Sequence, residues 1–197
     1  MQILICAEDS ARATLIEAGL HERPDVHDET VYVVHRVDRL SALLAGIAAT
    51  NPDAIFVDLQ APSPEGLLLL SSASRVAKRP IVAFVDTSDA ASVRTAVDAG
   101  VAAYVVGGLG KERIRTLLTV AISRHEAVRR LETELERARA ALRERKVIER
   151  AKAILMKRER LSEQDAYTLL RRTAMNRNQR IADLARAIVD AATLLGD

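Results

Sequence analysis

Five short runs, each apolar at nearly every position, alternate with helix-patterned stretches through the first half of the chain: QILICA, VYVVHR, AIFVDL, PIVAFV and AAYVV. A run that is apolar on both of its alternating faces has to be covered on both sides. Such runs therefore belong to a parallel sheet sandwiched between helices, not to an antiparallel sheet with one wet face. The segments between them, 11–21, 39–49, 65–77 and 89–98, carry helical patterns and are long enough for parallel crossovers. Beyond Lys111 neither Gly nor Pro occurs until Gly196, so the remainder is expected to be helical, opening with one helix that runs to about residue 160.

The expected fold of the first half is thus an α/β, flavodoxin-like, doubly wound sheet of five parallel strands. Ligands of such sheets bind beyond the C-terminal strand ends, and the acids of this chain gather there. Glu8 and Asp9 follow the first run, Asp58 ends the third, and Asp86 follows the fourth. An acid at that edge can bind metal, accept a phosphoryl group, or solvate the exit of a strand. A metal-dependent phosphatase would need more: His21, His27, His35 and His125 are scattered without ligand spacing, and no nucleophilic triad accompanies the acids, so no enzyme is expected. The single cysteine, Cys6, lies inside an apolar run and reads as a buried strand residue in a reducing compartment. No charged leader with an apolar core opens the chain, and no apolar run approaches the ~20 residues that a bilayer demands, so a cytoplasmic protein with no membrane partner is expected. With no tryptophan, three tyrosines and two phenylalanines, an aromatic base-stacking platform of the RRM type is excluded.

The net charge of +2 conceals an asymmetry. Residues 1–123 hold 11 Lys and Arg against 15 Asp and Glu, and residues 124–197 hold 18 against 12. Most of the excess lies in 150–180, where Arg150, Lys152, Lys157, Arg158, Arg160, Arg171, Arg172, Arg177 and Arg180 face only Glu159, Glu163 and Asp165. A polyanionic partner follows from that excess.

Within the long helix Ala121, Val128, Leu135 and Leu142 recur every seven residues, with Leu131 and Ala138 at the complementary spacing. This is a short heptad seam, which suits either a helix packed on its own domain or a two-chain coiled coil. A helix this long outruns a domain of this size and its flanks alternate Glu and Arg, so the coiled coil, and hence a homodimer, is the preferred expectation. After it, Ser162 and Asp165 resemble a capping box that starts a second helix. Ile181, Leu184, Ala185, Ile188, Val189 and Ala192 mark a third at 3.6-residue spacing. Ala151, Ala166, Leu170, Ala174 and Ala185 are assigned to packing. The expected domains are 1–122, a linker helix over 123–146, and a three-helix tail over 147–197.

The acid pair after the first strand, Asp58 after the third, Pro62 four residues on and Gly66 eight on resemble the receiver domain of two-component response regulators. The resemblance implies that Glu8, Asp9 and Asp58 bind magnesium, a hard ion suited to carboxylates, and that Asp58 accepts phosphate from a sensor kinase. Two receiver positions depart from the pattern: Val85 stands where a Thr or Ser is usual and Gly107 where a Lys is usual. Thr87 or Ser88, and Lys111, are the displaced candidates for those groups. Tyr104 matches the aromatic that reorients in receivers. With neither phosphate-binding side chain at its usual position, Asp58 reads as a remnant or weak acceptor, and magnesium is not required.

The stretch VIERAKAILMKRERLSEQDAYTLLRRTAMNRNQRIADLARAIV, residues 147–189, resembles the ANTAR domain, the RNA-binding output module named after AmiR and NasT. That resemblance implies a transcription antitermination regulator which binds paired stem-loops in leader RNA as a dimer and prevents terminator formation. It also implies control either by phosphorylation or by a ligand-sensing partner that sequesters the regulator. The Val85 and Gly107 departures favour the partner, and nitrate assimilation is one setting for it. Lys152, Lys157, Arg158, Arg171, Arg172, Asn176, Arg177, Asn178, Gln179 and Arg180 are the expected RNA contacts, with cations for phosphates and amides for base edges. A DNA-binding response regulator is the competing reading, weakened by the lack of a glycine turn between the second and third helices.

Overall fold

The computed structural model describes residues 1–22 and 30–194, so His27 and residues 195–197 at the end of the expected tail lie outside the described part. The chain divides into two compact units, Met1–Arg129 and Arg130–Asp197, and the division falls inside the segment 123–146 read as a linker.

In the first unit the five expected strands form one parallel sheet in the order β2-β1-β3-β4-β5. They are β1 (Gln2–Ala7), β2 (Val33–Val37), β3 (Ala54–Leu59), β4 (Ile81–Val85) and β5 (Ala103–Val106). The helices are α1 (Ser10–His21), α2 (Leu43–Thr50), α3 (Pro64–Ala77), α4 (Ala90–Asp98) and the start of α5 (Ile114–Glu159). Strand side chains alternate between two cores, as the pleat requires. Ile3, Ile5, Phe56 and Phe84 pack on Ile16 and Leu20 of α1 and on Ile114 and Leu118 of α5. Leu4, Cys6, Ile55 and Val57 pack on Leu43 and Ile47 of α2 and on Leu67 and Leu70 of α3. This double coverage is why β1, β3 and β4 are apolar at nearly every position. The edge strand β2 is half-exposed instead, and it begins at Val33 whereas the apolar run began at Val31, which is itself 74% exposed.

Local signals start and stop the helices at the sheet's edges. Asp9 accepts a hydrogen bond from the Ala11 amide at 2.8 Å and so caps α1. Ser63 caps α3 through the Gly66 amide, with Pro64 in the first turn, where its missing N–H costs nothing. Asp89 caps α4 through Ser92, and this hydrogen bond holds its carboxyl below the usual range. Gly19 has a different task. A Cβ there would lie 2.5 Å from the Lys111 carbonyl and 2.6 Å from Ile114 Cγ1, so α1 meets the approach to α5 only because the side chain is absent. Cys6 is 2% exposed, and burial, then the nearby Glu8, Asp38 and Asp58 charges, push its thiol up to about 12.

The second unit comprises the remainder of α5, α6 (Glu163–Asn176) and α7 (Ile181–Leu194). α5 ends where Arg160 turns left-handed at φ 52°. The Ser162 oxygen accepts from the Asp165 amide, and the Ser162 hydroxyl donates to the Asp165 carboxylate at 2.6 Å. The cap predicted from the serine and aspartate spacing is therefore present. Ala151, Leu170, Ala174, Leu184, Ala185 and Val189 form the core, with Ala166 also fully buried. Small side chains at these positions let the helices approach closely, so the five residues assigned to packing are all inside.

Candidate functional site

At the acidic edge of the first unit, Asp58 is 6% exposed, and both of its oxygens are engaged by one side chain absent from the sequence expectations. Arg12 donates from Nε to Oδ2 and from Nη2 to Oδ1, both at 2.6 Å, and from Nη1 to Asp86 Oδ1 at 2.8 Å. Hydrogen bonding to Asp58 is the main cause that raises the guanidinium's pKa above its ordinary value. The three carboxylates expected to share magnesium do not fit it. Asp58 faces a guanidinium, Asp9 caps α1, and Glu8 is exposed. Among the described residues no group of three or more His, Cys, Asp or Glu side chains is arranged to hold a metal ion. The sequence signal for Arg12 was its place on the first turn of the helix that follows the acid pair, three residues beyond Asp9.

Of the displaced candidates for phosphate contacts, Thr87 is exposed and the other two are engaged. The Ser88 hydroxyl lies 3.0 Å from that of Tyr104, and Lys111 Nζ is 3.5 Å from Glu22. Val85 is buried at the end of β4 and its side chain offers no polar atom. Gly107 sits at φ 75°, a left-handed conformation that glycine adopts freely.

In the second unit Arg171, Arg172, Asn176, Arg177, Asn178, Gln179 and Arg180 are all exposed and are brought together at the turn between α6 and α7. The turn is a Schellman closure: the Gln179 amide donates to the Ala174 carbonyl and the Asn178 amide to Met175. Asn178 takes the left-handed position at φ 50°, where glycine is usual. The missing glycine therefore does not argue against a tight helix-to-helix turn. Arg180 also pairs with Glu144 of α5 while its side chain stays 69% exposed. Lys157 and Arg158 are exposed near the end of α5.

Lys152 corrects the expectation of an RNA contact. It is 7% exposed, and its ammonium is bonded to Glu163 at 2.7 Å and to Glu149 at 2.9 Å, which joins α5 to α6. Glu163 first, then Glu149, raise the Lys152 pKa, and Lys152 in turn lowers that of Glu163. The reason is positional: α6 covers that side of α5 and leaves the cation facing acids, not solvent. Tyr167, the sole aromatic after Tyr104, is 43% exposed on α6 and one and two turns before the exposed Arg171 and Met175.

The heptad seam needs one correction too. Ala121 is 0% exposed inside the first unit's own core, so it is not available to a second chain. Val128, Leu131, Leu135 and Leu142 are exposed at 47%, 65%, 50% and 53%, and Ala138 is exposed as well. The seam ends there because the next two positions of the repeat are Arg145 and Glu149.

A family model for the ANTAR domain matches residues 136–189, beginning upstream of 147. Among curated proteins none matches the chain. Three similar solved structures show the fold of the first unit. One is a CheY-like response regulator receiver domain protein from Methanospirillum hungatei JF-1, with 18% identity, 64% of this chain and 96% of that one covered, and a TM-score of 0.53. Another is the signal receiver domain of a modulated diguanylate cyclase from Desulfovibrio desulfuricans G20, with 16% identity, coverage of 64% and 96%, and a TM-score of 0.52. NtrX from Brucella abortus is similar at 17% identity over 67% of this chain and 29% of that one, with a TM-score of 0.53. No helix among the described residues is long and apolar enough to cross a membrane. The first unit thus has the fold of the receiver domains among these structures, and residues 136–189 of the chain match the ANTAR domain.

Proposed function

We propose that this chain is a transcription antitermination regulator that binds paired stem-loops in leader RNA as a homodimer and so prevents a terminator hairpin from forming. The observation that carries this reading is the exposed turn at 176–180, flanked by Arg171 and Arg172, inside the segment matched by the ANTAR model. Its guanidinium groups suit phosphates, and Asn176, Asn178 and Gln179 suit the edges of unpaired bases. Tyr167 adds a ring face on which one splayed loop base can stack, a contact worth about 1–3 kcal/mol. The exposed part of the seam, from Val128 to Leu142, is the dimer contact. Two ANTAR domains on one dimer engage the second stem-loop at high effective concentration, which suits a pair of modest contacts to paired hairpins. Control by a sequestering sensor partner fits the presence of Val85 and Gly107 where a receiver carries its phosphate-binding side chains.

The test is fluorescence anisotropy with a two-hairpin leader RNA, a loop-mutated copy and duplex DNA, across a salt series. Binding that requires both intact loops is expected. Equal, salt-sensitive binding to all three would reduce the turn to an electrostatic patch and put the DNA-binding reading ahead, since the Asn178 turn is tight enough for either. Leu135→Lys is expected to convert the dimer to monomer by sedimentation and to weaken two-hairpin binding more than single-hairpin binding.

A further inference from the structure

Two carboxylates meet at the receiver-fold edge, one of them almost dewatered. Asp58 has a side chain only 3% exposed, Asp86 one 45% exposed, and the side chain of Arg12, whose guanidinium lies between them, is 24% exposed. Burying a carboxylate requires a positive partner and filled lone pairs. Here a single planar fork supplies both, with two parallel donors on Asp58 and a third on Asp86. In a receiver a divalent ion would occupy this place, yet Asp9 is turned to cap α1 and the oxygens of Asp58 are taken.

We propose that Arg12 is the resident cation of this edge, a covalently tethered charge that stands where a metal ion would and makes the resting arrangement of the domain independent of divalent cations. The tether is the physical basis. A guanidinium fixed on the first turn of α1 has no translational freedom left to lose on pairing, whereas Mg²⁺ would have to shed tightly held water and displace it. Neutralisation of Asp58 then does not vary with magnesium concentration. The edge is a latent cation site, hidden by one side chain and exposed by removing it. This inference concerns the first unit alone and stands whether or not the second binds RNA.

The experiment titrates Mn²⁺ into the full-length chain and follows free ion by electron paramagnetic resonance. The wild type is expected to show no saturable site that depends on Asp58. Arg12→Ala, with circular dichroism unchanged, is expected to gain one at least about tenfold tighter than any wild-type binding, and Arg12→Ala with Asp58→Asn to lose it again. A saturable wild-type site abolished by Asp58→Asn would overturn the proposal, as would a folded Arg12→Ala chain that gains nothing. If Arg12→Ala does not fold, the wild-type Arg12 Nε–H resonance, identified by its loss in Arg12→Lys, decides. A signal unmoved by millimolar Mg²⁺ supports the tethered cation, and one that shifts or loses its exchange protection overturns it.

Discussion

Arg12 in the first unit and Arg171 in the second are the same side chain in opposite circumstances. Arg12 is closed in by two carboxylates from distant parts of the chain, and its charge is neutralised where it stands. Arg171 is exposed on α6, in a segment where cations outnumber acids. The comparison shows that counting charges along a sequence locates a polyanion surface only after internally paired cations are set aside. Lys152 makes the same point from within the basic segment, because Glu149 and Glu163 enclose it.

The largest effect expected from breaking this contrast is on folding. Arg12→Ala leaves Asp58 buried without a partner and should cost about 3 kcal/mol, the low end for a broken buried pair since Arg12 is partly exposed. It would be seen as a lowered first thermal transition with RNA affinity of the folded fraction unchanged. A stability change below about 1 kcal/mol would mean that solvent, not Arg12, satisfies Asp58. Next comes the mirror image. Arg171→Ala with Arg172→Ala should leave stability within about 0.5 kcal/mol, because both are exposed. Hairpin affinity should fall about a hundredfold, and removing two cations from the phosphates should flatten the salt slope by about 1.4. Unchanged affinity would move the RNA surface elsewhere.

Much of this was legible in the residues, and the parts that were not share a cause. The continuous apolar runs located β1, β3 and β4 because a doubly covered strand has no polar face to mislead. The end of α5 near residue 160 was legible from the Ser162 cap that starts the next helix, since Gly and Pro are absent on both sides of it. β2 slid by two residues because an edge strand has a weaker pattern. Arg12 was overlooked because its partners lie 46 and 74 residues away: its place on the first turn of α1 could mark it as near the acidic edge, but spacing along the chain could not show which carboxylates it meets. Ala121 was misassigned for a related reason: a heptad stripe looks the same whether it faces its own domain or a second chain.

Two smaller effects sharpen the contrast within the second unit. Asn178→Ala should cost about 1 kcal/mol, because alanine lacks the side chain that tolerates a left-handed φ. Asn178→Gly should keep the turn while removing the amide, so hairpin affinity that falls with Gly would separate base contact from geometry. The smallest effect is in the pH profile of the Lys152 and Glu163 pair. The pKa of Glu163 is lowered in the fold, so its contribution is present above the unfolded carboxylate value of about 4.3 and is lost as pH falls through the folded value. The Lys152 contribution is complete below about 10.4 and is lost as pH rises through its raised folded value. Lys152→Met should flatten both limbs of a stability profile followed by circular dichroism, while the folded protein's RNA affinity stays the same.

Cys6 has a practical consequence. The chain contains one thiol, it sits 2% exposed in the middle of the sheet, and its pKa of about 12 leaves almost no thiolate at neutral pH. To an alkylating dye or a mild oxidant the native protein is therefore nearly blank. A cysteine introduced at Thr168, beside Tyr167 on the exposed part of α6, would be the single position that takes a fluorophore, with no native residue to delete first.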